Sequence, residues 1–283
     1  MTIKCIVLDF DGTFSDVEAE AEPFVPAYRR DVFDLVGRDS SALWDTEEAR
    51  IRAEPGRYGW EYRGRIVAPA NADPFLRSTV TAQRVCDAAG VLKDLDLRSE
   101  LLDVIYRRNY HHTRPVLRPE AREVIEALVG LGLPVFVVTN ASTQAVEKKL
   151  AHCAPAVAER LRVFGDARKF DLREPRAPDP RFDALASELE VPGLSRGVQL
   201  RRGAYFEAFA RIWELTGAQP SETLVAGDIF ELDLAMPLAL GCHVQLVTRA
   251  DTPSYEQAFL RGRAPQGGVG DSLRAGAARA TGG

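Results

Sequence analysis

Two aspartates set two residues apart, Asp9 and Asp11 in the run Lys4-Cys5-Ile6-Val7-Leu8-Asp9-Phe10-Asp11-Gly12-Thr13-Phe14, have the types and spacing for chemistry. Ile6, Val7 and Leu8 read as a short strand buried on both faces, and Gly12 breaks it. Residues two apart on extended backbone project to one side, so both acids are expected to face one ligand. Open α/β sheets bind ligands at the carboxyl ends of their strands, where these acids fall. The pair reads as a nucleophile and a proton-transfer partner beside a divalent cation. It also reads as a polar turn closing a strand, because Asp-Gly is an ordinary turn signal.

Two later strand ends add to the pattern. Leu133 to Val138 is a second apolar run, ending in Thr139-Asn140 before a helical stretch from Ser142 to Leu150. A hydroxyl beside an exposed helix N-terminus suits an anion. A third run, Thr223 to Ala226, ends in Gly227-Asp228-Ile229-Phe230-Glu231-Leu232-Asp233. Asp-x-Asp-Gly-Thr, then Thr-Asn, then Gly-Asp-x-x-x-x-Asp, in that order, resembles the haloacid dehalogenase (HAD) superfamily of aspartate-nucleophile phosphohydrolases. The resemblance implies that Asp9 attacks phosphorus and that Asp11 protonates the leaving group and later activates water. Asp11 argues for phosphoryl transfer over dehalogenation, since the dehalogenases of the family have no acid there. Thr139 joins Asp9 and Asp11 in the expected machinery, and Gly12, Thr13 and Asn140 are expected around the phosphate.

Asp9, Asp228 and a phosphate dianion would repel one another without a cation, and hard oxygen ligands suit Mg²⁺. The expected ligands are Asp9, Asp228, the Asp11 carbonyl by family analogy, and Asp233. Asp233 reads equally as a helix N-terminal acid favoured by the dipole, and Glu231 as a solvated side chain. The family also sets a cation against the nucleophile. Lys169, after a third core strand, and Arg201 or Arg202, before a helix from Ala204 to Leu215, compete for that place. Lys169 is favoured, with Arg202 kept among the phosphate-binding candidates because a guanidinium can hold two phosphate oxygens.

These residues need a scaffold. The resemblance implies an α/β, Rossmann-like three-layer core with a parallel sheet of order 3-2-1-4-5, built from residues 1–16 and 115–263. The chain has 283 residues, 46% of them apolar, enough for two domains. Residues 17–114 are too many for a strand-to-helix connection and must fold on their own. Helical spacing predicts helices over Glu22–Val36, Thr46–Arg52, Asp73–Ala89 and Ser99–Tyr110. A mostly helical insertion at this point resembles the C1-type cap of the superfamily. Within it, Tyr58 to Val67 alternates aromatic and polar residues around Gly59 and Gly64, which predicts a hairpin or irregular loop. Trp60, Tyr62 and Arg65 could grip a substrate there or simply pack. His111 and His112, with no further ligand at metal spacing, read as ordinary surface or hinge residues. Prolines through 171–200 predict an extended loop, with Leu185–Val191 and Val198–Leu200 able to pair around Pro192-Gly193. The Gly-, Ala- and Arg-rich residues 264–283 predict a flexible tail, with a final short helix near Ser272 to Ala278 lying on the core as the alternative.

The chain carries a net charge of −5 with no basic stripe for nucleic acid, and it has no apolar run long enough to span a bilayer. Cys5, Cys86, Cys153 and Cys242 are scattered, as reduced buried thiols are, and no leader precedes the first strand, so the expected location is the cytoplasm. The expected function is a Mg²⁺-dependent phosphatase acting on a small phosphorylated metabolite through an aspartyl-phosphate. A phosphomutase acting on a sugar phosphate, and a catalytically weak binding or scaffold protein on the same fold, are the alternatives. A homodimer is the one assembly the resemblance suggests.

Overall fold

The computed structural model describes residues 2–280 except 38, 39, 71 and 157. The chain folds as two compact units, one of residues 1–16, 117–192 and 197–283, the other of residues 17–116 and 193–196.

The larger unit is built on a six-stranded parallel sheet. Its strands are β1 (Cys5–Leu8), β4 (Val135–Val138), β5 (Arg162–Phe164), β8 (Thr223–Gly227), β9 (His243–Val247) and β10 (Gly267–Gly270), in the order β10-β9-β8-β1-β4-β5. All of β1, β4 and β8 is buried, as continuous apolar strands in a two-faced sheet must be. Helices α6 (Ala121–Gly130), α7 (Thr143–Cys153), α9 (Gly203–Thr216), α10 (Ala235–Ala239), α11 (Ser254–Arg261) and α12 (Leu273–Ala280) belong to this unit. One core cluster joins Ile6, Leu8, Val137 and Leu224 to Val124, Leu128, Val146 and Leu150. The expected strand order is present, with β1 between β4 and β8 where the chain changes direction across the sheet.

Beyond it lies an addition that replaces the flexible tail over residues 267–280 with a strand and the alternative final helix, while residues 281–283 lie outside the described residues. Gly267 to Gly270 pairs with Val244 to Val247, and the α12 residue Leu273 is 1% exposed. Side chains signal a strand through alternation, and three glycines in four residues give none. Backbone hydrogen bonds make this one; the Thr248 N–H, for example, donates to the Gly270 carbonyl at 2.7 Å. In the proline-rich stretch the expected pairing is present as antiparallel β6 (Glu188–Leu189) and β7 (Val198–Gln199), and a short helix α8 (Pro180–Asp183) is added to it.

The smaller unit is mainly helical: α1 (Val17–Ala21), α2 (Phe24–Val36), α3 (Ser41–Ala53), α4 (Pro74–Ala89) and α5 (Leu95–Tyr110). Asp73 caps α4, accepting from the Leu76 N–H at 2.7 Å, and Gly90 ends it in the left-handed conformation. Phe24, Tyr28, Trp44, Phe75, Val85 and Leu102 form its core. The aromatic run forms a hairpin of β2 (Gly59–Tyr62) and β3 (Arg65–Pro69), with a bulge between Trp60 and Glu61. Trp60 packs on Ile51, Ala70 and Val80 within this unit. Among the described residues, no helix is long and apolar enough to cross a membrane.

Candidate active site

The site lies at the carboxyl ends of β1, β4, β5 and β8. The Asp9 N–H still donates to the Ala226 carbonyl at 2.8 Å, so sheet pairing fixes the backbone one residue beyond β1. Asp9 is 8% exposed, and its carboxylate meets Lys169 Nζ at 2.6 Å through Oδ1 and accepts from the Thr13 hydroxyl at 3.1 Å through Oδ2. Lys169 Nζ also donates to Asp233 Oδ1 at 2.8 Å, and Asp233 Oδ2 accepts from the Ile229 N–H at 2.9 Å. Asp233 lies inside a wide π-type turn, Phe230–Leu234, that precedes α10. One carboxylate oxygen each from Asp9, Asp228 and Asp233 fall within 4.8 Å of one another, and all three residues are buried.

Glycine makes this crowding feasible. A Cβ on Gly12 would come within 2.1 Å of Asp228 Oδ2, and one on Gly227 within 2.5 Å of the Asp233 Cβ. Gly12 also has φ +81, in the region L side chains avoid. Its place in the site is therefore steric, while its carbonyl accepts from Arg118 at 2.8 Å.

Burial, reinforced by Asp233 and Asp228, pushes the Asp9 carboxyl above the ordinary carboxylate range against the pull of Lys169. Burial also opposes the charge on Lys169, but Asp233 and Asp9 outweigh it and raise its pKa, so the ammonium is held protonated. Arg249 meets Asp228 Oδ2 at 2.9 Å. Three buried carboxylates thus face two cations, and a phosphate dianion would deepen the negative excess. Hard oxygens converging on one buried point fit a divalent cation of the Mg²⁺ kind. Asp9, Asp228 and Asp233 each offer one carboxylate oxygen to such an ion.

Several expectations change at this level. Asp11 is not one of the carboxylate trio; its Oδ1 accepts from Lys149 Nζ at 3.1 Å. The strand ends at Leu8 and the chain turns at Asp11, so the two-residue alternation no longer applies. Thr139 is buried at the end of β4, its hydroxyl accepting from the Ala141 N–H at 3.1 Å. Asn140, expected on the phosphate, spends its Oδ1 on the Lys169 N–H at 2.8 Å. Arg202, also expected there, is wholly buried and donates to the carbonyls of Gln199 and Lys169. Arg201 pairs with Glu174 at 2.6 Å and covers the Phe182 ring. Glu231 is not solvated: it is fully buried.

Three side chains at the site escaped sequence reasoning. Lys149 borders the buried stripe of Val146 and Leu150 on α7, a position that could have flagged it. The Tyr205 hydroxyl donates to the Asp233 carbonyl at 2.8 Å, and its ring lies 5.3 Å from Lys169 Nζ. Its neighbours Phe206 and Phe209 disguise it as core. Arg249 follows β9 as one more strand-end residue, with no motif around it.

A parallel sheet that gathers aspartates and one lysine at its switch point defines a class of α/β hydrolase. Within that class the chain belongs to the haloacid dehalogenase-like hydrolases, whose family model matches residues 3–241. Similar solved structures include a HAD hydrolase of Bacteroides fragilis, at 14% identity and TM-score 0.54 over 96% of this chain and 98% of that one. A predicted phosphoglycolate phosphatase of Haemophilus somnus shares 17% identity at TM-score 0.52, over 96% of each chain. The magnesium-bound HAD hydrolase YfnB of Bacillus subtilis shares 15% at TM-score 0.50, over 99% of this chain and 100% of that one. At such identities the common property is the fold. No curated protein matches the sequence.

Proposed function

We propose that this hydrolase is a Mg²⁺-dependent phosphatase that acts on a small phosphorylated metabolite through an aspartyl-phosphate on Asp9. The observation that carries the reading is the Asp9 carboxylate held between Lys169 and Thr13 in a buried cluster with Asp228 and Asp233. Asp9 Oδ forms the bond to phosphorus as the bond to the leaving oxygen breaks, and that oxygen takes a proton from Asp11. Water then attacks phosphorus, gives its proton to the Asp11 carboxylate, and frees phosphate and Asp9. Asp11 sits on a solvent-reaching turn with its side chain 30% exposed, and serving either half means exchanging its contact with Lys149 for the substrate or water oxygen. Lys169 supplies fixed positive charge beside the nucleophile, where charge on the phosphoryl oxygens is greatest. Bound among Asp9, Asp228 and Asp233, Mg²⁺ would supply charge neutralisation and phosphate orientation.

The helical unit supports a reading as a C1-type cap on a core of residues 1–16 and 117 onward, and the substrate is a phosphate monoester of metabolite size. Buried free thiols at Cys5, Cys86 and Cys242 support a reducing, cytoplasmic location. Hydrolysis of p-nitrophenyl phosphate by metal-free protein, with and without added Mg²⁺, tests the reading. Release of inorganic phosphate only with Mg²⁺ is expected. Transfer of phosphate to a sugar would favour the mutase alternative, and no turnover on any phosphate monoester would favour a binding protein.

A further inference from the structure

Arg202 occupies an expensive position that the stability of its own helix does not explain. It is the residue before α9, and the positive end of a helix dipole disfavours a cation there. It is also completely buried, and removing a guanidinium from water is costly unless its donors are well used. Nε donates to the Gln199 carbonyl at 2.9 Å and Nη1 donates to the Lys169 carbonyl.

The segment that presents Lys169 needs such a tie. Asp166 and Arg168, neither a glycine, have φ of 52 and 46, and strained backbone of this kind persists only where its surroundings fix it. On the β4 side, the Asp166 and Ala167 N–H groups donate to the Ala141 and Thr139 carbonyls at 2.8 and 3.0 Å. The Asn140 side chain takes the Lys169 N–H. The Lys169 carbonyl is held by Arg202. The start of α9 closes on the same stretch: the Gly203 N–H donates to the Arg173 carbonyl at 2.8 Å, which a Cβ on Gly203 would approach to 2.4 Å. The excursion between Lys169 and α9 is therefore pinched shut at its neck by Arg202.

We propose that Arg202 is a positioning residue for Lys169, fixing its backbone from the α9 side so that Nζ stays between Asp9 and Asp233. The proposal rests on the reading of Lys169 as the cation of the reaction. It is tested by steady-state kinetics at saturating Mg²⁺ on Arg202→Met, Lys169→Met and the double variant, with p-nitrophenyl phosphate as substrate. Arg202→Met is expected to lower kcat about 10- to 100-fold, as displacement of a reacting group by about an ångström does, with KM changed far less. In the Lys169→Met background it is expected to cost almost nothing more, because both changes act through one amine. Wild-type kcat in Arg202→Met, or losses that multiply in the double variant, would overturn the proposal. Wild-type kcat in Lys169→Met would instead overturn the reading beneath it. Should Arg202→Met fail to fold, Arg202→Gln, which cannot reach both carbonyls, is measured in the same two backgrounds with the same outcomes deciding.

Discussion

Asp9 carries opposed demands: a nucleophile must be ionised, yet burial and two neighbouring acids favour its neutral form. Lys169 at 2.6 Å is the group that answers them. Asp9→Asn keeps the shape and removes the nucleophile, so turnover should fall by about 10⁴-fold or more while the melting temperature changes little. Wild-type rates in that variant would contradict the mechanism. Asp11→Asn should slow breakdown of the phosphoenzyme by about 10² to 10⁴-fold, seen as a burst of p-nitrophenol followed by a low steady rate. The places of Asp9, Asp228 and Asp233 at strand ends were legible in the sequence, because an apolar run that stops at an aspartate is a one-dimensional feature. The Lys149 partner of Asp11, the Tyr205 hydroxyl and the backbone contacts of Asn140 and Arg202 were not. Each depends on where a loop or helix from elsewhere in the chain arrives, and Asn and Arg beside a phosphate motif look the same whether they bind ligand or backbone.

At the scale of elements, the carboxyl ends of β1, β4 and β8 were readable as apolar runs stopping at polar residues. The glycine strand β10 was not, since its pairing rests on backbone groups that every residue possesses. Its consequence is measurable through α12, the helix that follows it. Leu273→Ala should cost about 2–5 kcal/mol of stability by denaturant titration, as a buried leucine does. A neutral result would return 264–280 to the status of a loose tail. On α11, burial and the nearby Glu231 push the Glu256 carboxyl well above its ordinary range. The folded state then keeps a proton that the unfolded chain releases, so this group's contribution is present at acidic pH and is lost as pH rises toward the raised value. Relative to the parent, Glu256→Gln should therefore gain in melting temperature as pH rises above the ordinary carboxylate range, and a gap independent of pH would contradict the assignment.

For the whole molecule, the family supplies a hydrolase core and the chain's own residues supply the acidic site, so loss of the cation should be loss of function. Chelation should abolish turnover and Mg²⁺ restore it, while Ca²⁺, with its larger and looser coordination, should support it poorly. Activity undiminished in excess chelator would remove the metal from the account. The central claim, that Asp9 becomes covalently phosphorylated, is tested most directly by mixing the enzyme with substrate and Mg²⁺, quenching in acid during turnover, and weighing the N-terminal peptide by mass spectrometry. The account predicts one added phosphoryl group on Asp9, more of it in Asp11→Asn and none in Asp9→Asn. An unmodified peptide from an Asp11→Asn enzyme caught in mid-turnover, or a phosphoryl group on another residue, would contradict it.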